Sequence, residues 1–245
     1  MEGFKFHLAG HTAALKYAGE LLHNTGCTLL PHPCTEVTHL LLPVPSFEPD
    51  GTIKGGGNLP DLLSHLSKDV VIMGGNLSRP ELKEYHCIDF LKDPVYTARN
   101  SNITAHCALR LAMNKLPVTL EGLQVLVIGW GRIGKCLAQL LKSIGAQVTV
   151  AARKESDRAM LCALGYRTLN TQSIDTAPYR LVYNTVPHML CPQSPGNGLK
   201  IDLASNLGLG SPDVLWARGL PGKDAPESSG QLIACTALRF INGKE

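Results

Sequence analysis

The run Gln124-Val125-Leu126-Val127-Ile128-Gly129-Trp130-Gly131-Arg132-Ile133-Gly134 limits what this chain can fold into more than any other feature. A short uninterrupted apolar stretch reads as a buried strand, and glycines spaced Gly-x-Gly-x-x-Gly directly after it require a tight turn into a helix. The first glycine permits the turn, the second lets backbone approach a pyrophosphate, and the third allows close packing of helix on strand. The helix opening there presents unpaired N–H groups to phosphates. Gly129, Trp130, Gly131, Arg132 and Ile133 are therefore the expected cradle of a nicotinamide dinucleotide, and the second half of the chain is expected to be a Rossmann domain.

The identity of the dinucleotide is read about 20 residues on, at the end of the next strand, Gln147-Val148-Thr149-Val150-Ala151-Ala152. NAD binders usually place a carboxylate there to accept the ribose 2′-hydroxyl. Here the strand runs into Arg153-Lys154. A guanidinium fork with a neighbouring ammonium suits a 2′-phosphate, so the expected cofactor is NADP rather than NAD. Further on, Asn184-Thr185-Val186-Pro187 ends another apolar strand. Ligands of open α/β sheets bind at carboxyl strand ends, so Asn184, Thr185, Val186 and Pro187 are expected to flank the ribose or nicotinamide.

Apolar runs alternate with helical stretches on both sides of this turn. Phe4–Ala9, Thr38–Val44, Asp69–Met73 and His86–Phe90 read as strands in the first half, with a helix from Thr12 to about Asn24 ended by Gly26. Pro45 to Pro60 reads as a long loop rich in Pro and Gly, either functional or mobile. In the second half, strands are expected at Leu164–Arg167, Leu181–Asn184, Lys200–Leu203 and Val214–Ala217, and a helix at Ile133–Ile144. Strand and helix in alternation imply parallel sheets. The fold class is thus α/β with two domains, each a parallel sheet flanked by helices. Residues 1–99 form the first domain and residues 100–116 a bridging helix ended by Pro117. Residues 117–225 form the dinucleotide-binding domain, and the helix at 226–241 is expected to rejoin the first domain.

Composition narrows the function classes. Of 245 residues, 44% are hydrophobic and 18% charged, which is globular rather than disordered. The formal charge of +3 is not gathered into runs, so no nucleic-acid or membrane footprint is read. Apolar stretches fall short of the roughly 20 residues that a membrane-spanning helix needs. No secretory leader is read, and the eight cysteines include no Cys-x-x-Cys pair, so reduced cytoplasmic thiols are expected. His32, Cys34 and His39 match no zinc spacing, and no metal is expected.

Several segments together resemble the A subunit of dipicolinate synthase, from endospore-forming bacteria. They are Val127–Gly134, Asn184-Thr185-Val186-Pro187, Ile201-Asp202-Leu203-Ala204-Ser205, and Gly219-Leu220-Pro221-Gly222-Lys223 with Ala225-Pro226 and Gly230. The likeness is good from about Asn100 to the end and loose before it. The family's first domain is longer and has its own glycine-rich opening, whereas this chain has Ala9-Gly10-His11-Thr12. Ahead of the bridging helix the family reads Asn-Ser-x-Pro-Thr-Ala-Glu-Gly, and this chain reads Asn100-Ser101-Asn102-Ile103-Thr104-Ala105-His106-Cys107.

The resemblance implies a dehydrogenase that oxidises a dihydro- or hydroxytetrahydro-dipicolinate to dipicolinate. It implies sporulation as the setting and, for a partner, a flavoprotein B subunit; a homodimer is a candidate assembly. With cofactor in the second domain, substrate is expected in the crevice between domains, near the start of the bridging helix. His106 is a candidate base and Thr104 a neighbouring donor. Arg99, Arg218 and Lys223 are candidate cations for two carboxylates, with Asn100, Ser101 and Ser205 as neutral donors. Two alternatives stay open. One is another NADPH-dependent reductase of the hydroxyacid or shikimate dehydrogenase type. The other is a nucleotide-binding subunit that has lost turnover.

Overall fold

In the computed structural model, which describes residues 3–243, every named strand pairs in parallel with its neighbours. The chain divides into two units: residues 1–100 with 221–245, and residues 101–220.

The first unit opens with β1 (Lys5–Leu8), α1 (Ala13–Asn24), β2 (Thr28–Leu29) and β3 (His39–Leu41). Thr12 caps α1 by accepting the Leu15 amide on its hydroxyl at 3.2 Å, which fixes where the helix starts. There follow α2 (Leu59–Ser64), β4 (Val71–Gly74) and β5 (His86–Asp89), and the sheet order is β2-β1-β3-β4-β5. Leu40 and Leu41, adjacent in β3 and so on opposite faces, are both fully buried, as a sheet covered on each side requires. Phe6, Leu40, Leu41 and Ile72 are fully buried.

The Pro45–Pro60 segment is a packed structure, not a free loop. The buried hydroxyl of Ser46 donates to Pro43 O at 2.8 Å and accepts from Gly75 N at 2.9 Å, while Ile53 is 1% exposed. Arg79 donates to Gly51 O at 3.0 Å from across the loop.

Helix α3 runs from Pro94 to Lys115 and starts about two turns earlier than its apolar spacing suggests. Asp93 is the reason: its carboxylate accepts the amides of Tyr96 at 2.9 Å and Val95 at 3.3 Å, and Pro94 occupies the first helical position. The division between units falls within this helix, after Asn100.

The second unit contains β6 (Gln124–Ile128), α4 (Arg132–Ser143), β7 (Gln147–Ala151), α5 (Glu155–Ala163), β8 (Arg167–Leu169), β9 (Leu181–Asn184), β10 (Leu199–Asp202) and β11 (Leu215–Trp216). The sheet order is β11-β10-β9-β6-β7-β8, so the strand order reverses between β6 and β9. That switch point is where doubly wound sheets hold ligands. The strand expected at Leu164–Arg167 begins instead at Arg167, because Leu164 ends α5 and Gly165 follows with φ +75°. Within this unit, α3 is tied down by Tyr183 of β9, whose buried hydroxyl donates to Ala108 O at 2.9 Å. Burial drives that phenol's pKa far above its ordinary value.

After α6 (Leu220–Asp224) the chain returns to the first unit as α7 (Pro226–Ile241). Gly230 lets α7 lie close on α1, since a Cβ there would collide with Ala14 O and Tyr17. Arg239 of α7 pairs with Asp93. All eight cysteines are free thiols, of which Cys162 on α5 and Cys235 on α7 are exposed. Among the described residues, no helix is long and apolar enough to cross a membrane.

Candidate dinucleotide site

The glycine turn sits at the carboxyl end of β6, in the middle of the second sheet. Gly129 takes φ +105°, a conformation that L side chains rarely adopt, and its amide donates to Ala151 O at 2.9 Å. Gly134 is buried in the first turn of α4, where a Cβ would collide with Gly129 O. Gly131 differs from both. It is exposed, and a Cβ on it would meet no heavy atom within 4 Å. As the N-cap of α4 it offers no side-chain oxygen to the first-turn amides. Two glycines are thus required by packing, and the third leaves helix amides open to an anion.

Two cavities meet at Gly131. One, of about 380 Å³, lies toward β7 and α5 and is lined by Trp130, Ala152, Arg153, Lys154 and Asp157 among others. Thr171, Val186, His188 and Leu190 complete its wall. The other, of about 510 Å³, is lined by Ser101, Gly131, Arg132, Ile133, Lys135 and Thr185. A dinucleotide has two nucleoside halves joined by a pyrophosphate, and the residues present fit it: open helix amides at Gly131, with room and polar groups on either side.

Of the expected cofactor residues, Gly129, Trp130, Gly131, Arg153, Lys154 and Val186 line the first cavity. Gly131, Arg132, Ile133 and Thr185 line the second. Asn184 is a correction. It is fully buried, its amide donates to Asp202 Oδ2 and to Val186 O, both at 2.9 Å, and its Oδ1 accepts from Val186 N at 3.1 Å. Its side chain shapes the turn after β9 rather than facing a ligand. Pro187 is exposed and lines neither cavity.

Asp202 is the hub of this corner. Completely buried, it accepts from Asn184, from Ala204 N at 3.0 Å and from Gly208 N at 2.8 Å. Each lone pair it spends fixes the loops after β9 and β10. The motif around Asp202 is therefore structural in effect.

Ser101 and Thr104 are 6% and 8% exposed on one side of α3, and Ser101 lines the second cavity. His106 is exposed, and its helical position lies roughly 140° round the axis from Ser101. It is not brought to either cavity. Ser205 and Arg218 are exposed and line neither; Arg218 instead stacks over Trp216 at 5.2 Å. In the first unit, Arg99 and Lys223 are exposed and Asn100 is half-buried.

Asp157, Thr171, His188 and Leu190 escaped the sequence reading. The signal for Asp157 was present. It stands three residues after Lys154, the N-cap of α5, and residues three apart share a helix face. The corner is held by Arg158, which donates to Ala152 O at 2.9 Å and Arg153 O at 2.7 Å.

The order of strands, the glycine turn and the paired cavities define the class: a two-unit α/β protein whose second unit is a Rossmann dinucleotide-binding fold. No family model matches the chain. It is 30% identical over 158 residues to the dipicolinate synthase A subunit of Bacillus subtilis (strain 168), a match covering 58% of this chain and 53% of that protein. The match thus spans about half the length of that curated relative. The crystal structure of the dipicolinate synthase A subunit from Bacillus halodurans superposes with a TM-score of 0.81 at 20% identity, covering 98% of both chains. That of its Bacillus subtilis counterpart gives 0.79 at 22% identity, covering 100% of this chain and 97% of the other. The chain is thus similar to the dipicolinate synthase A subunit in sequence over 158 residues and in fold over nearly its whole length.

Proposed function

We propose that this chain is a cytoplasmic NADP-dependent oxidoreductase that converts a dihydro- or hydroxytetrahydro-dipicolinate to dipicolinate. The observation that carries the reading is the pair of cavities meeting at Gly131, one bordered by Arg153 and Lys154 and the other by Ser101, Arg132 and Thr185. The likeness to the dipicolinate synthase A subunit supports the substrate class, and a flavoprotein B subunit is the partner that the reading carries with it.

Bound nicotinamide would supply a hydride acceptor. The chain's own contributions are binding and orientation. Amides of the α4 N-terminus and the Arg132 guanidinium hold the pyrophosphate, and Arg153 with Lys154 holds the 2′-phosphate. Ser101 places a hydroxyl at the second cavity, beside Thr104 on the same helix face, as donors to substrate carboxylates. His106, Ser205 and Arg218 line neither cavity and take no part in this reading, and the ring proton passes to solvent. Orientation does much of the remaining work, because aromatisation of the ring drives the reaction.

The test is to titrate the protein with NADP+ and then follow NADPH absorbance after adding dihydrodipicolinate, with and without a flavoprotein B subunit. Reduction of NADP+ is expected. Tight NADP+ binding without reduction in either condition would overturn the enzyme reading in favour of a nucleotide-binding subunit, which the His106-Cys107 departure from the family segment otherwise suggests.

A further inference from the structure

We propose that Asp157 sets the balance between the two nicotinamide dinucleotides, its carboxylate accepting the 2′-hydroxyl of NAD and opposing the 2′-phosphate of NADP. The inference rests on the dinucleotide reading and deepens it.

The residue just past β7, which would normally make this choice, is Ala152, which has nothing to offer a hydroxyl. The structure restores a carboxylate by another route. Asp157 lies in the first turn of α5 and lines the same cavity as Ala152, Arg153 and Lys154. Arg158 pins the carbonyls of Ala152 and Arg153, so strand end and first helical turn are one rigid corner. Asp157 is half-buried, and neither it nor Arg153 has a side-chain hydrogen bond or ion pair among the described residues. An acid and a base thus border one cavity unneutralised by each other, each available to a ligand.

Their effects on the two cofactors are opposite. A ribose 2′-hydroxyl is a donor that a carboxylate accepts well. A 2′-phosphate carries close to two negative charges near neutral pH, attracts Arg153 and Lys154, and is repelled by Asp157. With Asp157 in place the pocket takes both cofactors, and the preference for NADP is held below what its two cations alone would give.

A carboxylate in a first helical turn also stabilises the helix through its dipole, whatever it faces. Glu155 provides the control, because it occupies the same turn, is exposed and does not line the cavity.

The experiment is titration of the protein, on a Trp216→Phe background, with NAD+ and with NADP+, read as quenching of Trp130, which borders the cavity. Wild type, Asp157→Asn, Asp157→Ser, Glu155→Gln and Arg153→Ala are compared, with circular dichroism confirming the fold of each. Both Asp157 variants should loosen NAD+, tighten NADP+, and raise the affinity ratio in favour of NADP+ by about tenfold, the worth of one charge-assisted contact. Glu155→Gln should leave the ratio within about twofold, and Arg153→Ala should lower it. If the folded Asp157 variants shift both cofactors equally, or behave as Glu155→Gln does, the proposal is overturned. A wild-type protein that binds neither dinucleotide removes the underlying reading and this proposal with it, and the wild-type titration alone shows that outcome.

Discussion

Thr185 is bonded twice to Ile128: its amide and its hydroxyl both donate to that carbonyl, each at 2.9 Å, so the end of β9 is sewn to the end of β6 beneath the glycine turn. Gly129 sits directly above, where a Cβ would collide with Thr185 Oγ1 and Val186. Replacing Gly129 by Ala adds that collision to the strain of a left-handed φ, for a combined cost of about 2–5 kcal/mol in urea unfolding. Thr185→Ala alone should cost about 1 kcal/mol for the lost hydrogen bond. The double variant should be less destabilised than the sum, because the smaller neighbour relieves the overlap. Strict additivity would show that the collision is absorbed elsewhere.

Arg153→Ala should weaken NADP+ binding by roughly 1–3 kcal/mol, as for one lost charged hydrogen bond, while changing NAD+ little. Isothermal titration with each cofactor measures the difference. Equal weakening of both would show that Arg153 does not face the 2′-position.

Asp202→Ala should be among the most damaging changes outside the hydrophobic core. It leaves the Asn184 amide and the N–H groups of Ala204 and Gly208 without their acceptor in a dry site. A loss of about 3 kcal/mol or more is expected in chemical denaturation, with a smaller loss for Asn184→Ala. Dinucleotide binding should fall with it, since the loop carrying Val186 is anchored there. A folded Asp202→Ala protein of wild-type stability would contradict the hub role.

His39 gives the stability a dependence on acid. It is 8% exposed, stacked on Phe6 at 5.0 Å, and burial holds its pKa below the ordinary 6.5. The folded protein therefore binds this proton less readily than the unfolded chain. Stability is complete above about pH 6.5 and falls as pH drops below it, by up to about 1.4 kcal/mol per unit until the folded group itself titrates. Thermal melts between neutral and mildly acidic pH should show the fall, and His39→Phe should flatten it. An unchanged slope in that variant would assign the effect to other groups.

What the sequence made legible follows the range of the forces involved. The glycine turn is local: one strand, one turn and one helix within eleven residues, so spacing alone reveals it. The start of α3 was missed because Asp93-Pro94 lies outside the apolar stripe, although cap and proline are themselves local signals. Asn184 was assigned to the ligand because it ends a strand at the correct edge, and an edge position does not say which way a side chain turns. Its three hydrogen bonds turn it inward. The strand end carries no carboxylate, and Asp157 reaches the cavity instead through the helical periodicity of α5. Arg218 counts as a carboxylate-binding cation on charge alone, and a strand expected at Val214–Ala217 does not say that the guanidinium lies over the Trp216 ring.

Six of the eight thiols are buried or partly covered, whereas Cys162 and Cys235 stand exposed, one on each unit. Cys162 sits on the outer face of the helix whose first turn carries Asp157. That leaves a chemical handle on the helix that borders the cavity: with Cys235 and the partly covered Cys34, Cys87 and Cys136 changed to Ser, a maleimide dye would mark Cys162 and turn the protein into its own fluorescent gauge of dinucleotide occupancy.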